Sequence, residues 1–427
     1  MLSACQSSHS NEESWLELEG EGLTRTLTIE LVGLRSDQDK QLYDKIRQYD
    51  EERLNVEVEI RQKGSGQNLS PSLLGKSGRE GPPDLIELTP NMMKMAYHQG
   101  LLETLNMNES RMRELVITSP DGYVIGVKSK VNPLVVYYHQ DIFQKLGLEA
   151  PSGDWDMLDH TIIALKEAGE HVYINLYLHT LEWVTNSRYG GQIVDASGTV
   201  FGGYLDSGEA VQAAEWLAWV GSRKEDYELP SSNAGSPSYE PFHHLIEGNV
   251  ALAVDYAYGR RYDRKINYAI IAQSNDRIGI APLPGGVDTV NVAHTAGLAI
   301  PSGSPNADIA MELLRYLTED VEAYYDEIAT YTLQADSDET VQDPAGYAVV
   351  LGEIKRSKPS SLLFYEDQHH GRNDRFFHMG EEVMSGQPAA ALLARYASRF
   401  DEQFKLFQED FLNYSQCIEQ PSSVCNW

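Results

Sequence analysis

Val56-Glu57-Val58-Glu59-Ile60 alternates apolar and polar residues without a break, the period of a strand with one face in a core. Just upstream, Leu27-Thr28-Ile29-Glu30-Leu31-Val32 is predicted as another strand. Between the two, residues 37–54 place Leu42, Ile46, Tyr49 and Leu54 near one helical face. A Gly/Ser-rich turn and a short helix over 69–75 follow. Then come a third strand, Asp84-Leu85-Ile86-Glu87-Leu88, and a helix over 91–99 closed by Gly100. This β-α-β-α-β rhythm predicts a parallel α/β sheet with crossover helices.

The pattern continues with strands over 123–127 and 134–138, a short helix over 143–146 stopped by Gly147, and a helix over 155–168. Residues 172–178 read as strand. Residues 207–220 read as a helix with Ser207 at its cap and Glu209 in its first turn. A helix over 239–247 precedes a buried strand, Val250-Ala251-Leu252-Ala253-Val254. Short strands over 278–281 and 298–300 are followed by helices over 307–317 and 321–329. Two further helices, over 374–384 and 388–411, are separated by Ser385-Gly386.

At 427 residues the chain exceeds the size of a single growing core, so two lobes are expected. A net charge of −30 disfavours nucleic acid as a partner, because the field repels phosphate. The same charge keeps an exported protein soluble. No stretch offers the roughly 18 consecutive apolar residues of a membrane span.

Leu2-Ser3-Ala4-Cys5 has the pattern of a lipobox, where a lipoprotein precursor is cut before a cysteine that carries a lipid. The apolar run that should precede such a site is missing, so the chain reads as a precursor with its leader trimmed or misassigned. Polar residues 6–13 then read as a tether within a disordered segment, residues 1–23. The expected location is extracytoplasmic, with Cys5 as the only membrane attachment. Cys417 and Cys425 remain, either as a disulfide closing a short loop or as two thiols.

Several elements, in order, resemble the extracellular solute-binding proteins of ATP-driven importers, in the branch that binds sugars and oligosaccharides. The most specific runs from Asn132-Pro133-Leu134-Val135-Val136-Tyr137-Tyr138 through Asp141-Ile142-Phe143 to Gly147-Leu148, Pro151 and Trp155. Gln99-Gly100-Leu101-Leu102, Ala281-Pro282-Leu283-Pro284-Gly285 and Gly297-Leu298-Ala299-Ile300 match further elements in sequence order. His139-Gln140, Asp255-Tyr256-Ala257-Tyr258 and His294-Thr295-Ala296 depart from the family's usual residues. The last two of these fall where the family faces its ligand.

The resemblance implies a two-lobed periplasmic-binding-protein-like fold of type II, each lobe a mainly parallel sheet flanked by helices. Lobe one would be residues 24–131 plus 290–335, and lobe two residues 132–289 plus 336–427. It also implies a hinge, a carbohydrate ligand in the cleft, an importer's permease as partner, a monomer and no cofactor.

Sugars need flat aromatic faces for their C–H sides and planar polar groups for their hydroxyls. Trp183, Tyr256, Tyr258 and Tyr138 are the aromatic candidates, each with core packing as the alternative. Arg35, Asp37 and Asn91 at strand ends, His294 before the return strand, and Arg372 before the penultimate helix are the polar candidates. Arg35-Ser36-Asp37 and Asn91 also fit simple helix caps. No Gly-x-Ser-x-Gly elbow, His-Glu-x-x-His or phosphate loop occurs, so no catalytic or metal residue is assigned. A secreted carbohydrate hydrolase and a ligand-presenting partner of a sensor kinase are the alternatives.

Overall fold

The computed structural model describes residues 24–32, 40–53, 55–63, 83–107, 112, 114–174, 178–196, 198–220, 245, 248–257, 260–261, 264–265, 277–285, 291–333, 344–359, 379, 382–383 and 385–419. Cys5, Arg35, Asp37, Tyr258, Arg372 and Cys425 lie outside them. So do the tether, the helix over 69–75 and most of the helices over 239–247 and 374–384.

The first elements follow the predicted rhythm: β1 (Arg25–Val32), α1 (Lys40–Glu52), β2 (Val56–Lys63), β3 (Leu85–Leu88) and α2 (Pro90–His98). β1 lies between β2 and β3 and is parallel to both. On α1, Ile46 and Tyr49 are fully buried, and Leu42 packs at the edge of the same cluster. Gly100, with φ of +72°, follows the end of α2 in the left-handed conformation that a residue with a Cβ resists.

β4 (Val116–Thr118) leads into β5 (Val124–His139), a single sixteen-residue strand where two were expected. Polar residues 128–130 lie between the two expected strands. Tertiary partners hold them in one strand. Lys128 is buried and donates to the Ser357 carbonyl at 3.1 Å, while Ser129 and Lys130 each donate to the buried Glu87 carboxylate at 2.6 Å.

The chain then runs through α3 (Gln140–Leu146), α4 (Trp155–Glu167), β6 (Val172–Ile174), α5 (Leu178–Tyr189), α6 (Gly208–Val220) and β7 (Leu252–Tyr256). After a two-residue hairpin pair, β8 (Arg260–Arg261) and β9 (Arg264–Lys265), come β10 (Ile278–Ala281) and β11 (Asn291–Ala299). α7 (Ala307–Leu317), α8 (Val321–Leu333), α9 (Pro344–Arg356), β12 (Ser357–Pro359) and α10 (Ala389–Glu419) complete it. The strand expected over 172–178 stops at Ile174, and by Leu178 the chain is helical. α9 was not anticipated. Cys417 falls on α10.

The strand order is β2-β1-β3-β11-β5-β7-β6, with β10 and β4 on β5 and β12 on β11. β5 and β11 are antiparallel and pass from one half of the sheet to the other. β11 pairs with β3 through Gly297–Leu88, and β5 pairs with β7 through Leu134–Tyr256. The register of β11 against β5 shifts between Ala296 and Gly297, a bulge at the crossing. Side chains of β5 alternate between the two faces of the sheet. Leu134 and Val136 join one buried cluster, and Val135 and Tyr137 join the other.

α9 fastens the crossing. Its Glu353, 1% exposed, accepts from Asn291 Nδ2 at 2.6 Å, from the Leu283 backbone N–H at 3.2 Å and from Arg356 Nε at 2.8 Å. Asn291 also donates to the Leu134 carbonyl at 2.7 Å, and Arg356 to the Leu283 carbonyl at 2.7 Å. One buried carboxylate therefore ties β5, β11 and the segment after β10 together. Burial pushes its pKa up, against the pull of Arg356.

Candidate functional site at the strand crossing

Parallel strands on both sides of the crossing end toward it. β3 stops at Leu88, opposite Gly297 of β11, and β7 stops at Tyr256, opposite Leu134 of β5. β6 runs parallel to β7 and feeds α5 at the same end. Carboxyl ends of open α/β sheets form ligand crevices, because loops there leave the sheet and helix N-termini approach it.

Three rings meet at this point. His294, on β11 opposite Asn132, has its ring centre 4.1 Å from that of Tyr256, edge to face. His179, in the first turn of α5, lies 4.4 Å from His294 and 5.9 Å from Tyr256. Thr180, Glu182, Asp255 and Thr295 are buried close by in sequence. Tyr137 beneath them donates to the carbonyls of Tyr256 and Ala257, both at 3.1 Å, which fixes the end of β7.

Burial pushes the His294 imidazole down to about 3. His179 is pushed well below its ordinary value by burial and by His294. Both are therefore neutral at pH 7. A neutral imidazole offers one N–H donor and one acceptor, a good match to a hydroxyl, which is also both.

The same shifts give a stability prediction. The unfolded chain binds protons at these histidines below about pH 6.5, whereas the folded chain keeps them neutral until much lower pH. Their contribution is complete above that value and is lost as pH falls through the window toward about 3. Between pH 7.5 and 5 the melting temperature should fall, and the fall should be smaller in His294→Gln. An equal fall in both chains would contradict the assignment.

The structure brings Asn91, Tyr256 and His294 to this region. Asn91 is the second residue of α2, just beyond β3, and is buried. Thr89, before it, makes no side-chain cap, and its hydroxyl is buried without a hydrogen-bond partner among the described residues.

Trp183 and Tyr138 are placed elsewhere. Trp183 is 1% exposed, stacked on Trp155 at 5.0 Å and edge-on to Trp216 at 6.5 Å. Arg188 lies 5.0 Å above the Trp155 ring and makes a two-point ion pair with Asp159 at 2.9 and 2.6 Å. Trp216 Nε1 donates to the same carboxylate at 2.9 Å. So Trp183, Arg188 and Trp216 pack α4, α5 and α6 against one another. Of the two expectations for Trp183, a cleft edge between a strand and Gly190-Gly191 or the packing of a helix, its place on α5 is that of the second. Tyr138 lies at the far end of β5 from the crossing, over Gly279 and 4.9 Å from Phe143.

His179, which joins the ring group, was not among the expected residues. The strand expected over 172–178 ran up to it, whereas β6 ends at Ile174 and His179 stands in the first turn of α5.

Bacterial extracellular solute-binding proteins are the family whose sequence pattern matches, over residues 34–324. A probable ABC transporter-binding protein of Deinococcus radiodurans is 28% identical over 213 residues, 46% of this chain and 48% of that protein. The matched region thus spans about half the length of that relative. Solved structures share the fold at low identity. The solute receptor AcbH, described as preferring β-D-galactopyranose, has a TM-score of 0.68 at 14% identity, covering 90% of this chain and 98% of its own. The sugar-binding protein MalE of Xanthomonas citri has a TM-score of 0.66 at 15% identity, covering 90% and 99%. An ABC substrate-binding protein of Listeria monocytogenes in complex with cycloalternan has a TM-score of 0.60 at 14% identity, covering 90% and 99%. The two-lobed type II architecture of those structures is the one described above. With its sequence pattern matched across most of its length, this chain belongs to the bacterial extracellular solute-binding protein family.

Proposed function

We propose that this chain captures a carbohydrate, an oligosaccharide in the fullest form of the reading, outside the cytoplasm and delivers it to the permease of an ABC importer. The observation that carries this is the convergence of His179, Tyr256 and His294 at the strand ends of a solute-binding fold. Neutral imidazoles and a tyrosine suit a ligand that is uncharged, rich in hydroxyls and flat on its C–H faces. Fold neighbours named for galactopyranose, cycloalternan and acarbose support the same class.

Asn91 would contribute from lobe one and Tyr256, His179 and Glu182 from lobe two, with His294 on the crossing strand. Arg35, Asp37, Tyr258 and Arg372 remain proposed contacts from segments outside the described residues. The lobes would be 24–131 plus 290–335 and 132–289 plus 336–427, hinged at the β5–β11 crossing. Leu2-Ser3-Ala4-Cys5 supports a lipid anchor at Cys5. Among the described residues no helix is long and apolar enough to cross a membrane.

A thermal-shift panel of mono- and oligosaccharides tests the reading. A ligand that binds only the folded chain stabilises it by about 2.7 kcal/mol at a hundredfold excess over Kd. At least one sugar should raise the melting temperature by several degrees. A panel with no response, alongside a clear response to an amino acid, peptide or polyamine, would replace the proposed ligand class.

A further inference from the structure

β2 stands at the end of the strand order, and among the described residues no strand pairs with its outer side. The parallel pairing with β1 decides which of its backbone groups face outward. The Arg25 N–H donates to the Asn55 carbonyl at 2.9 Å. By alternation the backbone groups of Glu57, Glu59 and Arg61 then turn toward β1, and those of Val56, Val58, Ile60 and Gln62 turn to the edge. One outward donor is already met: the Val58 N–H donates to Asp50 Oδ1 of α1 at 2.9 Å. The rest of such an edge is a template for another strand.

The two faces of β2 differ. Val56, Val58 and Ile60 are half-buried on the α1 side. There Val58 and Ile60, with Ile46, Arg47, Asp50 and Glu51, line a groove of about 440 Å³. On the opposite face Glu57 and Glu59 are exposed, and Arg61 donates along the strand to both Glu59 oxygens, at 3.1 and 3.2 Å.

We propose that the β2 edge docks a second copy of this chain, antiparallel about a two-fold axis at Ile60, in place of the monomer that the family resemblance implies. Outward residues pair only with outward residues, so the axis must pass through a residue, and charge selects which. An axis at Glu59 or Arg61 sets that residue against its own copy. An axis at Val58 sets Glu57 against Glu59 and needs the N–H that Asp50 holds. An axis at Ile60 sets Glu59 against Arg61 of the other copy, twice, at the non-hydrogen-bonded positions where side chains come closest. Ile60 then exchanges two backbone bonds with its copy. On each side the Gln62 N–H meets the Val58 carbonyl, while Asp50 keeps the Val58 N–H. The two grooves come side by side, and Val58 and Ile60 are covered. Two chains of net charge −30 repel at a distance, but salt screens that field beyond about 8 Å at physiological ionic strength, so contacts at the edge decide the pairing. None of this depends on the ligand.

Two measurements at physiological ionic strength test it. The first uses a chain with Cys5, Cys417 and Cys425 replaced by serine. Across a hydrogen-bonded antiparallel pair the Cα atoms are about 5.5 Å apart, within a disulfide's span, so Ile60→Cys should give a covalent dimer under mild oxidation. Val56→Cys should not, because its two copies would stand roughly 27 Å apart at about 3.4 Å per residue. Failure of Ile60→Cys, or equal cross-linking by both, overturns the pairing. The second is sedimentation equilibrium up to high micromolar concentration. The parent chain should dimerise. Arg61→Glu, which sets carboxylates against carboxylates, should raise the dimer dissociation constant at least tenfold. Glu59→Arg added to Arg61→Glu should restore it to within about threefold, and all three chains should melt within a few degrees of one another when dilute. A parent chain that stays monomeric, or an exchanged pair as weak as Arg61→Glu alone, would overturn the proposal.

Discussion

Trp183→Ala is expected to lower the melting temperature of the ligand-free chain by roughly ten degrees, the scale of a loss of about 3–5 kcal/mol for a buried tryptophan truncated in a core. The ring is 1% exposed and shared between Trp155 and Trp216, so its removal leaves a void lined by rigid aromatic groups that cannot close over it. Arg188, held between the Trp155 and Trp216 rings and by Asp159, would lose part of its support as well. The chain that remains folded should bind its ligand within about twofold of the parent, because no atom of this cluster belongs to the ring group at the crossing. Differential scanning calorimetry and a binding isotherm on the same preparation check both halves. An unchanged melting temperature together with lost affinity would return Trp183 to the cleft.

Glu353→Ala should be comparably severe. Truncation leaves the buried Asn291 amide and Leu283 N–H, and the half-buried Arg356 guanidinium, without their common acceptor. Breaking a buried pair on one side costs about 3–5 kcal/mol, mostly as the unmet charge and donors left behind. Glu353→Gln keeps an acceptor for Asn291 and should lose clearly less. Because this carboxylate joins both crossing strands, the alanine variant should also widen the distribution of lobe orientations, read as a larger radius of gyration by small-angle scattering. Equal melting temperatures in Glu353→Ala and the parent would show that the crossing does not depend on the clamp.

The contrast between these two residues shows what the sequence could carry. Trp183 was visible as an aromatic residue near two glycines, and its type suggested a stacking platform. Its surroundings decided otherwise, since Trp155 and Trp216 come from helices distant in the chain. Glu353 was invisible, one carboxylate among 64 acidic residues, on a helix whose apolar pattern did not stand out. Local periodicity was enough for β2, α1 and α2, where each element has one wetter face, and short apolar runs were enough for β1 and β3, whose central residues are buried on both faces. They failed at β5, which is buried on both faces and carries Lys128, Ser129 and Lys130 through the core on partners from β3 and β12. His294 could be named because it departs from the family pattern just before a short apolar strand. His179 could not, because three residues of strand had been extended to seven.

Calorimetric titration of the best sugar from the panel, with the sugar recovered and analysed afterwards, tests the central claim most directly. The account predicts one binding site, intact ligand, and affinity reduced at least tenfold, about 1.4 kcal/mol or more, by Tyr256→Ala and by His294→Ala in chains that remain folded. Cleavage of the sugar, or affinity unchanged in both variants, would contradict it.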